Sequence, residues 1–392
     1  MVLGLFGSLL QCGGIERANR LIGAVLTEMA RDQGQRCELL SLNEPPGPLS
    51  FVMGGRQYSG IGFGRQKLKF VVRALRLAPR VRVAYLAHPN LARVGLLMRL
   101  AKPGLQYWVA AHGFETWEPL NPLGRWALRA AQGVTAPSRF TLEQLLQAQG
   151  LEPSKVTLLP HGLEAGFADS VSNDPDPPWP SQPGLILTVA RLAASEPGKG
   201  VDTVIRALPQ VLRVVPRASY VVVGDGDDRP RLQRLAKGTG VHQSVHFVGH
   251  QSEAELKSYY RKAEVFVMPS CQEGFGIVFL EAMAFGKPVI GAASGGIPDI
   301  VIDGATGYLV NYGDVDTLAA RLIRLLADPD LRQKMGVAAR QRIKENYTFD
   351  HFRRHLRQLF ESHDASHRAH QPWGRSVRGE DRETAPPGRL AS

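Results

Sequence analysis

The sequence predicts an α/β protein of two doubly wound domains facing one another across a cleft, and three observations support that prediction. The chain has 392 residues, too many for one hydrophobic core and enough for two of ordinary size. Short apolar runs alternate with segments of helical period through most of the length, the pattern of parallel strands joined by helices. A polar, proline-rich interval interrupts that alternation once, near the middle. Composition agrees: 44% hydrophobic and 21% charged residues belong to a folded globular chain and exclude the disordered and fibrous classes.

In the first half, Val2–Phe6, Cys37–Leu42, Val81–Leu86, Tyr107–Ala111, Gly133–Ala136 and Val156–Leu159 read as buried strands, with helices such as Ile15–Gln33 and Thr141–Gln149 between them. The linker is placed at 166–183, where Pro175, Pro177, Pro178, Pro180 and Pro183 fit neither a helix nor a central strand. The alternation then restarts. Leu185–Ala190, Tyr220–Val223, Val245–Val248, Val265–Met268, Pro288–Gly291 and Gly307–Val310 read as strands. Val201–Val215, Arg229–Lys237, Glu253–Lys262, Phe279–Ala284 and Val315–Leu326 read as helices. The predicted bounds are 1–165 and 184–345 for the domains, 346–361 for a last helix, and 362–392 for a disordered tail rich in His, Arg and Pro. Loops at the carboxyl ends of parallel strands would line the cleft, so the ligand is expected between the domains.

Cys12, Cys37 and Cys271 are odd in number and form no CxxC or Cys/His cluster, so neither a disulfide framework nor a structural zinc site is expected. Met1–Leu10 is apolar but lacks a basic leader and is broken at Gly4, Gly7 and Ser8; it reads as a strand rather than a signal peptide. No apolar run approaches the length needed to span a bilayer. The expected location is the cytoplasm, with peripheral contact at the inner face of the membrane.

That contact is suggested by charge. The net charge is +11, and between Glu44 and Glu115 there is no acidic residue, while Arg65, Lys69, Arg73, Arg76 and Arg80 recur at spacings of three and four. A helix would gather these five on one face. An anionic membrane or a lipid-linked diphosphate suits such a stripe, and so does a merely solvated helix face. Nucleic acid is not expected, because the stretch has no recognisable nucleic-acid module and few aromatics to stack on bases.

The segment with most chemical content is Glu273-Gly-Phe-Gly-Ile-Val-Phe-Leu-Glu281, which leaves the strand Val265–Met268 through Pro269 and Ser270. Gly274 and Gly276 admit a ligand close to the backbone, and the helix that follows offers free amide donors to an anion. Glu281 can accept hydrogen bonds from two adjacent ribose hydroxyls, and Glu273 can reach a second polyol. Gly13-Gly14 follows the first strand and opens a helix, a setting in which backbone amides meet phosphate. His112 ends the strand Tyr107–Ala111.

Two carboxylates at this spacing around Gly274-Phe275-Gly276 resemble the signature of retaining glycosyltransferases. The second half as a whole is similar to glycosyltransferase family 4. The matching stretches are Val189-Ala-Arg-Leu192, Lys199-Gly200 with Asp202, Val222-Val-Gly-Asp-Gly226, Phe247-Val-Gly249, Pro269 to Ala284, Gly286-Lys-Pro-Val-Ile290, Gly295-Gly-Ile-Pro298 and Asp303-Gly304 through Thr306-Gly-Tyr-Leu-Val310. The resemblance implies a GT-B fold of two Rossmann-like domains. It implies retaining, metal-independent transfer of a hexose from a nucleotide-diphospho-sugar, with no separate cofactor, to a glycan or lipid-linked acceptor in the making of a cell-surface glycan.

It also implies roles. His112 lies beside the transferred sugar, Glu273 positions that sugar's hydroxyls, and Glu281 holds the ribose. Arg191 and Lys199 contact the diphosphate, whose growing charge two cations would stabilise. Gly13, Gly14, Gly224, Gly274, Phe275 and Gly276 complete the donor site, with Gly224 and Gly226 making room for the base. Two departures from the family stand out: Ala193 to Gly198 lengthens the interval before Lys199, and His161-Gly162 replaces a commoner Asn-Gly. Asp225-Gly-Asp227 matches the DxD form of metal-dependent transferases but reads as a turn. The alternatives are a sugar phosphorylase or sugar-phosphate synthase on the same frame, and a nucleotide-binding module without turnover.

Overall fold

A computed structural model describes residues 1–11, 13–164, 167–168 and 183–364. Nearly all of the expected linker and most of the expected tail lie outside the described residues. In chain order the first half forms β1 (Val2–Phe6), α1 (Gly14–Asp32), β2 (Cys37–Ser41), β3 (Gly47–Met53), β4 (Arg56–Gly62), α2 (Lys67–Leu77), β5 (Val83–Leu86), α3 (Ala92–Ala101), β6 (Gln106–Ala110), α4 (Pro122–Ala130), β7 (Gly133–Ala136), α5 (Arg139–Gln149) and β8 (Val156–Leu158). The strands make one sheet in the order β3-β4-β2-β1-β5-β6-β7-β8, parallel except where β3 pairs with β4. Tyr85, Tyr107 and Trp108 are fully buried in it, so both faces are covered, as parallel sheets require.

The second half forms β9 (Leu185–Val189), α6 (Val201–Val214), β10 (Ser219–Val223), α7 (Arg229–Gly238), β11 (Val245–Gly249), α8 (Glu253–Lys262), β12 (Val265–Met268), α9 (Ile277–Ala284), β13 (Val289–Ala292), α10 (Ile297–Ile300), β14 (Gly307–Val310), α11 (Val315–Ala327), α12 (Pro329–Asn346) and α13 (Phe349–Asp364). Its sheet, in the order β11-β10-β9-β12-β13-β14, is wholly parallel. In each sheet the chain's first strand lies between neighbours reached in opposite directions, so a crevice opens at its carboxyl end. The loops after β1 and β9 occupy those two crevices. The last helix crosses back: Phe352, Leu356 and Phe360 of α13 join the core of the first domain.

Most strands fall within a residue or two of their sequence positions. The hairpin β3–β4 does not appear in the sequence reading, because only Leu49, Phe51 and Met53 of β3 turn inward and β4 carries mostly polar residues and glycines. Nor does α12, which buries only Met335, Gly336, Ala339 and Ile343 among many charges. The five-residue basic stripe is corrected. Helix α2 spans only Lys67–Leu77. Arg65 precedes it with a left-handed φ of 62°, and Arg80 follows in a separate turn. Arg73 is paired with Glu38 at 2.9 Å.

Candidate active site

The second domain's wall of the cleft is built from loops that follow β9, β10, β12 and β13. At Gly224 (φ 122°) the loop after β10 crosses the loop after β9, and a Cβ there would collide with the carbonyl of Ala190. This glycine is therefore required by backbone contact within the domain, whether or not a base lies above it. Gly276 adopts φ 100° as the residue before α9 and turns the chain abruptly from the Glu273–Phe275 loop into the helix. That turn explains why the helix begins two residues earlier than the sequence pattern indicated.

Two of the four charged groups meet directly. Lys199 Nζ donates to Glu273 Oε2 at 2.9 Å, with both side chains about one-fifth exposed. Arg191 and Lys199 line one hollow together with Asp202, Asp228 and Arg231. Arg191 is itself held by Glu196. Glu196 belongs to the lengthened interval before Lys199, which is tethered at both ends: Asp227 Oδ1 accepts from the amide of Ala194 at 2.7 Å, and the amide of Cys271 donates to Gly198 O at 2.9 Å. Asp225 accepts from the amide of Gly226 and pairs with Arg229. Both carboxylates of the DxD-like turn are thus engaged by the protein itself.

Glu281 stands apart from that hollow. It is 2% exposed, and across the cleft it pairs with Arg17 from the first turns of α1. Its second oxygen accepts from Tyr260 at 2.7 Å. Burial, together with the Glu281 carboxylate, holds the Tyr260 phenol well above its ordinary pKa, so the hydroxyl is fixed as a donor. Both carboxylate oxygens of Glu281 are thus engaged by the protein, one of them by the first domain. The ring of Phe275 is buried edge-on against His161 and near Tyr347, where it packs the domains together.

The two walls touch at Gly274. A Cβ on this residue would strike the carbonyl of His112 and lie 2.7 Å from Cα of Gly113, and its own carbonyl accepts from Ser138 Oγ at 2.6 Å and Thr141 Oγ1 at 3.2 Å. Ser138 also caps α5. The amide of Arg139 donates to Asp299 Oδ2 at 2.6 Å, a further contact between the domains.

On the first domain's wall, His112 is buried. Its Nε2 lies 2.9 Å from Ala87 O, its Nδ1 has no partner among the described residues, and its amide donates to Glu115 Oε1 at 2.5 Å. The ring of His161 stacks against it at 5.9 Å, inclined by 29°. Burial, and then the neighbouring His112, pull the His161 pKa down to about 3, so it is a neutral spacer between His112 and Phe275. The glycine loop is shaped from behind by Glu44, whose carboxylate accepts from Ser8, Ser41 and the amides of Leu9 and Leu10 at 2.7 and 2.9 Å. Glu16 lies against Gly13 at the start of α1, and Gly14 faces Ile277 of α9. Arg17, Glu44, Tyr260 and Ser138 escaped the sequence reading. Arg17 had a signal, since it directly follows Gly13-Gly14-Ile15-Glu16.

The comparisons with known proteins decide the family. The profile described as glycosyl transferases group 1 matches residues 171–342, and that described as Glycosyltransferase Family 4 matches residues 13–166. A GDP-mannose-dependent alpha-(1-6)-phosphatidylinositol monomannoside mannosyltransferase of Mycolicibacterium smegmatis is 37% identical over 274 residues, which cover 66% of this chain and 70% of that protein. The chain belongs to glycosyltransferase family 4. Among solved structures, a sucrose-phosphate synthase from Thermosynechococcus elongatus shares the fold with a TM-score of 0.73 at 21% identity, covering 93% of this chain and all of that one. The Anabaena protein HepE, solved with UDP, does so with a TM-score of 0.70 at 18% identity, covering 92% of this chain and 99% of that one. The protein is a glycosyltransferase with the GT-B fold. The Lys199–Glu273 pair and the Arg191 hollow lie at the carboxyl ends of its second sheet.

Proposed function

We propose that this glycosyltransferase moves a hexose, with retained anomeric configuration and without a metal ion, from a nucleotide-diphospho-sugar to a glycan or lipid-linked acceptor. The donor we favour is GDP-mannose, the substrate in the name of the mycobacterial relative, with a lipid-linked glycan precursor as acceptor. The observation that carries the reading is the Lys199–Glu273 ion pair beside Arg191. These cations are paired with Glu273 and Glu196, and a diphosphate displaces both carboxylates. Glu273 then accepts from hydroxyls of the sugar, while Lys199 and Arg191 face the leaving group.

In the reaction, the bond from the sugar's C1 to the diphosphate oxygen breaks, a new bond forms between C1 and the acceptor oxygen, and the acceptor's proton passes to the departing phosphate. His112 orients groups beside C1, and Glu281, with Arg17 and Tyr260, is the ribose acceptor. Metal independence is supported by the cations gathered at the proposed diphosphate site and by the engagement of Asp225 and Asp227 with protein partners. Melting curves with UDP-, GDP-, ADP- and dTDP-sugars test the assignment. GDP-mannose should raise the midpoint, with or without a chelator. Stabilisation by none of them, or only with added divalent cation, would overturn it.

A further inference from the structure

The first turns of α1 belong to the first domain by chain order but are seated on the second. Gly14 faces Ile277 of α9, Ala18 is fully buried in the second domain's core, and Arg17, one turn from Gly14, reaches Glu281, one turn from Ile277. The Arg17 guanidinium takes Oε1 of that carboxylate and Tyr260 takes Oε2 at 2.7 Å, so the acid proposed for the ribose is already filled. The two partners differ. Tyr260 is fully buried, comes from the same domain as Glu281, and stacks on the Phe285 ring at 5.9 Å. Arg17 comes from the opposite domain, its side chain is 21% exposed, and its guanidinium lies 5.4 Å from the centre of the Phe167 ring. Burial opposes the charge of Arg17, but Glu281, then Tyr260, Glu253 and Glu164, hold the guanidinium above its ordinary pKa. Two further acids therefore act on it. Glu253 is paired with Lys257 at 2.9 Å, whereas burial, followed by Glu253, holds the Glu164 carboxyl above its ordinary value, so an additional cation there is favourable.

We propose that Arg17 competes with the nucleotide's ribose for Glu281 and so limits how tightly the donor site holds the spent nucleoside diphosphate. This rests on the reading of Glu281 as the ribose acceptor and gives Arg17 its part in it. Two adjacent hydroxyls need lone pairs on a carboxylate whose oxygens both accept already. The packed phenol of the same domain stays, and the guanidinium of the opposite domain yields. It is not left unpaired, because a turn across the face of Phe167 brings it toward Glu164. The exchange trades a charge-assisted pair for bonds from neutral hydroxyls, so it weakens the binding of a ligand that carries a ribose and leaves one that lacks it unaffected. In a transfer cycle the consequence falls on product release. Once the sugar has left, the returning Arg17 helps to expel the nucleotide, a step that sets the turnover of many enzymes.

The test is calorimetric titration of the full chain with GDP and, separately, with pyrophosphate, in wild type, Arg17→Gln, Glu164→Gln and Glu281→Gln, with the melting midpoint of each variant as the check on folding. Arg17→Gln should bind GDP roughly three- to tenfold more tightly than wild type, with pyrophosphate affinity unchanged. Glu164→Gln removes the alternative seat while leaving the Arg17–Glu281 contact in place, and should bind GDP roughly two- to threefold more weakly. That variant decides the matter if Arg17→Gln folds poorly. Unchanged or weaker GDP binding by a folded Arg17→Gln, an equal gain for pyrophosphate, or wild-type GDP binding by Glu164→Gln would overturn the inference. Glu281→Gln separates the two readings. Wild-type GDP affinity in that variant means that Glu281 holds no ribose, and both readings fall; weakened affinity there, with no gain in Arg17→Gln, removes the competition alone.

Discussion

On the second domain's side of the cleft, Gly224 and Gly274 set loops backbone against backbone, with Asp225 and Asp227 accepting from nearby amides beside them; on the first domain's side, it is carboxylates accepting from backbone amides that hold the loops. Gly224 against Ala190 and Gly274 against His112 and Gly113 are examples of the first method. Glu44 beneath Leu9 and Leu10, and Glu115 on the amide of His112, are examples of the second. The difference has a chemical reading. A wall shaped by missing side chains tolerates almost no substitution and brings main chain close to a phosphate or sugar, as a donor site requires. A wall shaped by individual hydrogen bonds allows the surrounding surface to vary, as an acceptor site requires.

The largest expected effect lies on the second wall. Glu273→Ala should reduce kcat/KM for transfer by roughly a hundredfold to a thousandfold with little change in melting, because it removes the group proposed to hold the reacting sugar. Gly274→Ala comes next. Its Cβ meets main chain of the opposite domain, which cannot rotate away, so closure should be impaired and turnover should fall about a hundredfold while each domain remains folded by circular dichroism.

On the first wall the effect is gentler and depends on pH. Burial opposes the charge of Glu44, but the amides of Leu10 and Leu9 and the hydroxyls of Ser41 and Ser8 hold its carboxyl below the ordinary value of 4.5. A depressed carboxyl stabilises the fold above 4.5, and that contribution is lost as pH falls through the lower folded-state value. The melting advantage of wild type over Glu44→Gln should therefore be full at neutral pH and shrink in acid; an advantage that grows in acid would break the comparison. The smallest effect is at Glu196. Arg191 is 64% exposed, so Glu196→Ala should tighten nucleoside diphosphate binding only by roughly two- to fivefold in calorimetry, by removing the carboxylate that competes for that guanidinium.

The same difference governs what could be read without coordinates. Strands such as Val2–Phe6 and Val265–Met268 are short apolar runs bounded by turn residues, and the Glu273–Glu281 segment is dense because Gly274 meets the backbone of the opposite domain and Gly276 takes a left-handed turn into the helix. Glu44 lies 36 residues from Ser8, and Arg17 lies 264 from Glu281, so neither partnership leaves a local pattern. The burial of the Phe275 ring leaves no local pattern for the same reason: its neighbours His161 and Tyr347 come from distant parts of the chain. The charge run from Arg65 to Arg80 showed its sign but concealed its geometry, because helix ends and the Glu38 partner of Arg73 depend on tertiary packing.

The central claim is that Lys199 is released from Glu273 to hold the donor's diphosphate. Calorimetric titration of wild type and Lys199→Ala with the nucleoside diphosphate selected by the melting screen tests it most directly. The account predicts that affinity falls at least about tenfold in the variant, since a favourable cation is lost and Glu273 is left as an unpaired like charge. Equal affinity in the two proteins would contradict it.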